Sequence, residues 1–388
     1  MKVLHIIPTY LPSINSRGVI DAIHFLNKEL VRVGVEVSVY TTNLDGAGGV
    51  LDVPLGREVA IDGVKVFYFE SSFPKYWQYS YEMQKCLANT IATFDVVHIT
   101  SVFLAQSTLG AYYARKFKKP YIITPHGSLM KKPLSMNPFL KRLYVFFLEK
   151  RNIQNAVMHF TTEIERNEFL ETGLRCVKTI VVPNAFEAKA VPEGVAKGAF
   201  RKKAGVSNDI PIILFLGRLS KIKGIDTLIP AFADVLKKEP SAMLVLAGPD
   251  DGGYVSEIKD LISLYKIEDN TYFTGMVDGI EKQQLFLDST IFVAPSYSEN
   301  FGMAIVEAMH YHLPVIVSEG VGISPMIARG SAGMVIKKTR EELVTAMLRL
   351  MANEVLRREM GSAGAILVDK EFLSKSVAQR FLLEYNRL

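Results

Sequence analysis

Two glutamates, Glu299 and Glu307, stand with seven residues between them in the stretch Ser296–Met309. This stretch follows the apolar run Ile291–Ala294, which is typical of a buried strand, and from Met303 its pattern indicates a short helix. Ligands of open α/β sheets bind beyond the carboxyl ends of strands, and helix N-termini present free N–H groups to anions. The stretch therefore offers backbone donors for a phosphate and carboxylates for sugar hydroxyls. Either glutamate taken alone would more simply be a solvated surface residue.

A basic loop, residues 217–224, reads Gly-Arg-Leu-Ser-Lys-Ile-Lys-Gly and follows the apolar run Pro211–Leu216. Arg218 and Lys223 would lie at the carboxyl end of this predicted strand, near the loop of the first glutamate if both strands share a sheet. A diphosphate needs opposing positive charge, and an arginine can bind it through two parallel hydrogen bonds. We favour phosphate binding over a solvated basic loop, with Lys221 as the weaker candidate.

One histidine stands in a predicted loop from which it can reach a ligand. His126 follows the predicted strand Tyr121–Thr124 in the sequence Thr-Pro-His-Gly-Ser. His5, His98 and His159 lie inside predicted strands, and we interpret them as core histidines whose hydrogen bonds are satisfied. Because a lone histidine is more often structural, its position alone leaves the role of His126 open.

Two successive alternations of strand and helix would position these residues. The first begins with a strand at Val3–Ile7, a helix ending near Gly34 and a strand at Val35–Thr41, an order that predicts a parallel sheet. Its further strands are predicted at Val64–Phe69, Val96–Thr100, Tyr121–Thr124, Val157–Thr161 and Ile180–Val182. The second alternation has predicted strands at Pro211–Leu216, Met243–Ala247, Tyr272–Thr274, Ile291–Ala294, Val315–Val317 and Gly333–Ile336.

This pattern predicts an α/β protein of two Rossmann-like domains that face each other across a cleft. A change in composition to Pro, Gly, Ala and Lys around residues 183–198 indicates a linker. We assign residues 1–183 to the first domain, 184–208 to the linker, 209–370 to the second domain and 371–388 to a final helix.

Composition limits where the protein works and what it binds. The 388 residues carry a net charge of +5, which allows an anionic substrate or membrane surface and gives no indication of nucleic acid. The only cysteines, Cys86 and Cys176, lack metal-ligand spacing, which fits a reduced cytoplasmic protein. The apolar start stops too early for a signal peptide. A run of about 18 apolar residues, as a membrane-spanning helix needs, is absent.

The pair Glu299 and Glu307 resembles the E-x7-E motif of retaining glycosyltransferases of the GT-B fold, family 4. The similarity extends over the whole context Pro295–Met309, including the Phe-Gly inside it. It implies that Glu307 holds the ribose hydroxyls and that Arg218 and Lys223 hold the donor diphosphate. The residues implied to contact the donor sugar are Glu299, His126 and the backbone of Asn300, Phe301 and Gly302.

The loop after the first predicted strand departs from the pattern of this family. Many members carry two adjacent glycines there, where the backbone approaches the diphosphate. This sequence has Arg17 in place of the first glycine, so only Gly18 is carried over as a donor-binding residue. Arg17 would either add a charge contact to donor or acceptor or point to water.

The resemblance implies a retaining enzyme that needs no metal and no cofactor. It would take a sugar from a UDP- or GDP-linked donor, bound mainly to the second domain. The acceptor would be a glycan or a lipid-linked molecule, with surface polysaccharide synthesis as a common setting. The chain has no Asp-x-Asp pair, which argues against a metal-bridged diphosphate site. The final helix is implied to cross back onto the first domain.

Two other functions stay open from the sequence alone. A nicotinamide-dependent oxidoreductase also has Rossmann-like domains. Gly46–Gly49 lacks the third glycine of the dinucleotide fingerprint, since Leu51 stands there, and we interpret the segment as a mobile loop. The other is a two-domain ligand-binding protein without catalysis, against which the two glutamates and the basic loop count.

A basic segment suggests contact with a membrane. Lys131–Arg151 carries six basic residues against the single acid Glu149, with aromatic residues between them. A basic helix with aromatic side chains can lie on an anionic membrane. An ordinary helix packed on the core with a solvated charged face explains the pattern equally well. Peripheral contact with the inner membrane surface is therefore a hypothesis.

Overall fold

The computed structural model describes residues 1–13, 17–46, 49–72, 77–131, 143–188, 195 and 197–388. These residues form two compact units. Met1–Glu187 with Phe372–Leu388 makes the first, and Ala188–Glu371 makes the second. Each unit is built around a largely parallel sheet, which confirms the predicted α/β class.

The first unit contains an eight-stranded sheet in the order β10-β9-β8-β7-β1-β2-β6-β5. Its strands are β1 (Lys2–Ile6), β2 (Glu36–Thr42), β5 (Glu58–Ile61), β6 (Val64–Phe69), β7 (Val96–Thr100), β8 (Tyr121–Thr124), β9 (Val157–Phe160) and β10 (Lys178–Val181). All neighbours are parallel except β5 and β6. The central strands β1, β7 and β8 are almost wholly buried, as expected for a sheet covered on both faces.

Strand β5 was not predicted from the sequence. It pairs with β6 through the turn Asp62–Gly63, where both residues have positive φ, 49° and 82°. An Asp-Gly pair favours this type of hairpin turn, so the sequence does carry a signal for the hairpin. The interpretation of Gly46–Gly49 as a mobile loop also needs correction. Around it, β3 (Leu44–Asp45) and β4 (Gly49–Val50) pair as a short antiparallel ribbon, while residues 47 and 48 lie outside the described part.

Helices cover the sheet of the first unit. They are α1 (Arg17–Arg32), α2 (Tyr81–Thr90), α3 (Ala105–Lys116), α4 (Lys150–Gln154) and α5 (Glu163–Glu171). The apolar side chains of α1 recur at helical spacing and are buried against the sheet.

The second unit contains a six-stranded parallel sheet in the order β13-β12-β11-β14-β15-β16. Its strands are β11 (Ile212–Leu216), β12 (Met243–Ala247), β13 (Thr271–Gly275), β14 (Ile291–Ala294), β15 (Val315–Ser318) and β16 (Gly333–Ile336). The chain builds outward from β11 to β13 and then returns to the other side of β11 at β14. The strand order therefore reverses between β11 and β14, which is where doubly wound sheets bind their ligands.

Residues 198–208, assigned above to the linker, lie in the second unit. Ala199–Ala204 forms helix α6, and the N–H groups of Phe200 and Arg201 donate to Asp288 Oδ2 at 2.9 and 3.2 Å. The other helices of this unit are α7 (Ile225–Leu236), α8 (Tyr254–Tyr265), α9 (Gly279–Asp288), α10 (Met303–His310), α11 (Ser324–Arg329), α12 (Arg340–Ala352) and α13 (Glu354–Leu367).

The last helix, α14 (Ser374–Tyr385), belongs to the first unit and packs on α1. Two backbone hydrogen bonds anchor its start: Phe186 N–H donates to Phe372 O at 2.7 Å, and Ser374 N–H donates to Phe186 O at 2.8 Å. Among the described residues, no helix is both long enough and apolar enough to cross a bilayer.

Candidate functional site

Two loops of the second unit meet where its strand order reverses. Strands β11 and β14 are parallel neighbours, with Ile213 opposite Ile291 and Leu214 opposite Phe292. The basic loop 217–224 therefore leaves the same edge of the sheet as the loop that carries Glu299. The expectation that both strands share one sheet is confirmed.

The two loops are also in direct contact. Tyr297 N–H donates to Ile222 O at 2.8 Å. Gly224 has a φ of +74°, and a Cβ at this position would collide with the carbonyl oxygen of Pro295. A glycine is therefore required here for the basic loop to approach the Glu299 loop so closely.

Lys223 and Glu299 form an ion pair between the loops, Nζ to Oε2. Their side chains are only 18% and 23% exposed. The backbone of Glu299 is fixed as well, since its N–H donates to Gly320 O at 2.9 Å and its carbonyl accepts from Gly322 N at 2.8 Å. The structure thus brings together a cation suited to phosphate and a carboxylate suited to sugar hydroxyls.

Arg218 lies on the same loop as Lys223 and is much more open to solvent. Its side chain is 64% exposed, and Nη1 lies 2.8 Å from Oδ2 of Asp251, which follows β12. Exposed ion pairs contribute little to stability, so a diphosphate can replace Asp251 as the partner of the guanidinium. Asp251 was not predicted from the sequence, because no spacing links it to Arg218.

The start of helix α10 supplies backbone donors beside Glu299. Gly302 precedes this helix with a φ of +95°, and a Cβ there would lie 2.7 Å from Ile305 Cδ1. Phe301 is buried and Asn300 is partly exposed, so Phe301 anchors the loop through its ring. The first N–H groups of a helix have no partner within the helix and can face an anion.

Glu307 lies within α10 and pairs with a residue that the sequence analysis missed. Lys282 of helix α9 places Nζ 2.7 Å from Glu307 Oε1, and the two side chains are 30% and 22% exposed. The ion pair holds the carboxylate in one orientation and leaves its other oxygen for a ligand. No sequence signal could have found Lys282, because the contact depends on how two helices pack.

The structure places the other predicted residues, Gly18 and His126, in the first unit. Gly18 is exposed in the first turn of α1, and the residues 14–16 before it lie outside the described part. Arg17 Nε lies 3.4 Å from Asp21 Oδ2 on the same helix. The departure at Arg17 therefore adds an exposed cation next to Gly18.

His126 occupies a constrained turn directly after β8. Its backbone has a φ of 47°, and its Nδ1 is buried without a hydrogen-bond partner in the described part of the chain. Burial, with smaller contributions from His159 and His5, lowers the pKa of His126 to about 3. The imidazole is thus neutral near pH 7, and a ligand can supply the missing hydrogen bond.

The other three histidines singled out above, His5, His98 and His159, are confirmed as buried core residues. The Nε2 of His159 donates to Val182 O at 2.8 Å. Thr124 Oγ1 then bridges His159 Nδ1 at 2.7 Å and His98 Nε2 at 2.8 Å. The Tyr385 hydroxyl of α14 completes the network through a hydrogen bond with His98 Nδ1 at 2.7 Å. Because the Val182 carbonyl can only accept, the direction of every hydrogen bond in this network is fixed.

Two family models match the chain over most of its length. A model described as glycosyl transferase 4-like domain matches residues 17–185, and one described as glycosyl transferases group 1 matches residues 196–366. The alpha-monoglucosyldiacylglycerol synthase of Streptococcus pneumoniae is 27% identical over 325 residues, 79% of this chain and 69% of that protein. The N-acetyl-alpha-D-glucosaminyl L-malate synthase of Bacillus anthracis is 23% identical over 382 residues, 96% and 94% of the two chains.

Solved structures share the fold at low sequence identity. HepE of Anabaena in complex with UDP superposes with a TM-score of 0.78 at 20% identity and 100% coverage of both chains. Sucrose-phosphate synthase of Thermosynechococcus elongatus gives a TM-score of 0.75 at 19% identity, with 100% of this chain and 98% of that chain covered.

Proposed function

Because the chain belongs to the group 1 glycosyltransferases of the GT-B fold, which move a sugar from a nucleotide sugar, we propose that it retains the configuration of that sugar and works without a bound metal. The observation that carries this proposal is the contact of Lys223 with Glu299 where the strand order reverses, with Arg218 on the same loop. Membership of the family rules out the nicotinamide-dependent oxidoreductase and the non-catalytic binding protein.

In the proposed mechanism the leaving diphosphate is the group that needs most stabilisation in the transition state. Arg218, Lys223 and the N-terminus of α10 oppose the negative charge that develops on it in the transition state. A covalent route would need a carboxylate nucleophile beneath the anomeric carbon, whereas Glu299 is assigned to the sugar hydroxyls. Departure and attack therefore take place on one face, and the leaving phosphate accepts the proton of the acceptor hydroxyl.

His126 takes a supporting role in this mechanism. Its neutral imidazole contacts the donor sugar and stabilises the positive charge growing at the sugar ring. A base with a pKa of about 3 is too weak to remove a hydroxyl proton near pH 7. Gly18 and the backbone of Asn300, Phe301 and Gly302 complete the proposed donor contacts.

The donor is proposed to be UDP- or GDP-linked. Structures of HepE contain UDP and UDP-glucose, which makes UDP-glucose the first donor to test. Thermal unfolding with UDP, GDP and NAD is the first experiment: the correct nucleotide diphosphate raises the unfolding temperature and NAD does not. Release of free UDP or GDP from the nucleotide sugar then identifies transfer or hydrolysis.

Replacing Glu307 by alanine should weaken nucleotide diphosphate binding roughly tenfold to a hundredfold, because a charge-assisted hydrogen bond to ribose is lost. Calorimetric titration with UDP and GDP measures this affinity. Glu281→Ala, which removes an exposed glutamate from α9 that pairs with Lys203, is the matched control and should bind normally. Unchanged affinity of the Glu307 variant for both nucleotides would remove Glu307 from the site.

The product should keep the anomeric configuration of the donor, and EDTA should leave the rate unchanged. No metal is needed because Arg218 and Lys223 neutralise the diphosphate. The configuration is kept because departure and attack take place on the same face of the sugar. NMR of the product determines the configuration of the new linkage, and an inverted linkage would contradict the mechanism. Activity lost in EDTA and restored by a divalent metal would contradict the metal-free site.

The acceptor is proposed to be a glycan or lipid-linked molecule, used in surface polysaccharide synthesis at the cytoplasmic face of the membrane. The relative from Streptococcus pneumoniae, whose name specifies a diacylglycerol product, supports the lipid-linked class. Within the basic segment Lys131–Arg151, residues 132–142 lie outside the described part. The described remainder exposes Leu143, Phe147 and Leu148, and Phe147 is 72% exposed.

Binding to anionic vesicles should therefore be measurable at low salt and should weaken at high salt, because screening reduces the attraction of the basic residues. Co-sedimentation measures it. Phe147→Glu should reduce the bound fraction, since it places a negative charge against anionic headgroups. Leu264→Glu, which changes a comparably exposed residue of the second unit, should bind like the wild type. Vesicles that bind no protein at low salt would rule out the contact.

A further inference from the structure

The turn Pro125–Ser128 holds His126 in a backbone conformation that residues other than glycine rarely adopt. His126 has a φ of 47° and Gly127 a φ of 82°, and Ser128 N–H donates to Pro125 O at 3.1 Å. Two successive positive φ angles in such a turn correspond to type I′, which favours Gly, Asn or Asp where the histidine stands. An unfavourable backbone of this kind persists only when surrounding groups hold it in place.

The carboxylate of Glu165 is one of the groups that hold this turn. Glu165 lies in the first turn of α5 and is 1% exposed. Its Oε1 accepts a hydrogen bond from the buried N–H of Gly127. Its Oε2 accepts from the N–H and the hydroxyl of Thr161 at 2.9 and 3.0 Å. One buried side chain thus ties the end of β9 to the turn that follows β8.

The sequence around Glu165 suggests a merely local role. Thr162 caps helix α5, and its hydroxyl oxygen accepts from Glu165 N–H at 3.2 Å. In a capping box, the glutamate three residues after the cap returns to the N–H of the cap residue itself. Here the carboxylate reaches Thr161 and Gly127, and Gly127 is 38 residues away along the chain. The contact with Gly127 does more than cap a helix.

We propose that Glu165 is the positioning residue for His126. The proposal rests on the contact between His126 and the donor sugar put forward above. Without the carboxylate, the buried N–H of Gly127 has lost an acceptor, and the turn relaxes toward the common right-handed conformations. The imidazole then moves away from the sugar. Because the nucleotide is assigned to the second unit, turnover falls while nucleotide affinity stays the same.

Turnover and UDP or GDP affinity of Glu165→Ala and Glu165→Gln test the proposal. Misplacing a reacting group by about 1 Å can cost a hundredfold, so we expect Glu165→Ala to lose turnover on the order of tenfold to a hundredfold. Glu165→Gln keeps an oxygen for Gly127 N–H and should lose less. Glu149→Gln is the matched control, because Glu149 is equally buried in the same unit and accepts from Thr108 and Asn152. It should keep normal turnover.

A double-mutant cycle separates positioning from general damage to the fold. In the background His126→Ala, removing Glu165 should cost no further turnover, because the group that it positions is already gone. Losses that multiply would overturn the proposal. NMR of ¹⁵N-histidine protein supplies a readout that needs no transfer: Glu165→Gln should shift the ring signals of His126. An unchanged His126 signal would overturn the positioning role, whereas a wild type without any transfer would overturn the proposed function alone.

Discussion

Replacing Arg218 by alanine should lower turnover with a nucleotide sugar on the order of a hundredfold, because the variant loses a cation that stabilises the leaving diphosphate. The thermal unfolding temperature should stay close to that of the wild type. The reason is that Arg218 is 64% exposed and only pairs with Asp251 at the surface. Steady-state release of free nucleotide diphosphate measures the turnover.

Lys221→Ala is the control for this variant. Lys221 lies three residues further along the same loop, is 71% exposed and pairs with Glu257. The change removes the same charge from the same loop, so it should affect long-range attraction of the donor equally. Turnover of Lys221→Ala should be close to normal. If Arg218→Ala is equally active, Arg218 has no direct contact with the diphosphate.

Lowering the pH from 6.5 toward 4 should destabilise the first unit. Burial lowers the pKa of His5 and of His159 from 6.5 to about 4, and lowers that of His98 well below 6.5. In this range the unfolded histidines bind protons that the native ones do not. The free energy of unfolding therefore falls as the pH falls, by up to about 1.4 kcal/mol per pH unit for each such histidine. The dependence is halved at pH 6.5, where the unfolded histidines are half protonated, and disappears above about pH 7.5.

Urea unfolding followed by tryptophan fluorescence measures this dependence. The only tryptophan, Trp77, lies in the first unit and donates to the Tyr144 hydroxyl at 2.6 Å, so its signal reports on that unit. His5→Gln should reduce the slope between pH 6.5 and 5, where most carboxylates do not yet titrate. An unfolding free energy that is constant from pH 7 to 5 would contradict the prediction.

The parallel strands could be predicted because strands buried on both faces appear as continuous apolar runs. Ile212–Leu216 and Ile291–Ala294 are such runs, and both form neighbouring strands of the second sheet. Glu58–Ile61 is an edge strand with alternating exposure, so its apolar signal is weak and it was missed. The ribbon around residues 44–50 was missed for another reason, since each of its strands is only two residues long and carries no apolar pattern.

A candidate site could be proposed from the sequence where its residues are close together. Glu299, Gly302 and Glu307 fall within one loop and helix, and the whole context Pro295–Met309, more than the spacing of the two glutamates, indicates this candidate site. Lys282 and Glu165 contact residues 25 and 38 positions away, and those contacts depend on how distant segments of the chain pack together. The start of the second unit was misassigned to the linker for a similar reason, because helix α6 is held by the distant Asp288.

The last helix has a consequence for the order of folding during synthesis. The α14 residues Val377, Phe381 and Tyr385 belong to the buried core of the first unit, together with residues of α1. A chain leaves the ribosome N-terminus first. The core of the eight-stranded sheet therefore stays partly uncovered until all of Ala188–Glu371 has been made and the last helix follows. The second unit is one continuous segment, so it needs no later part of the chain to complete its core, whereas the first unit does.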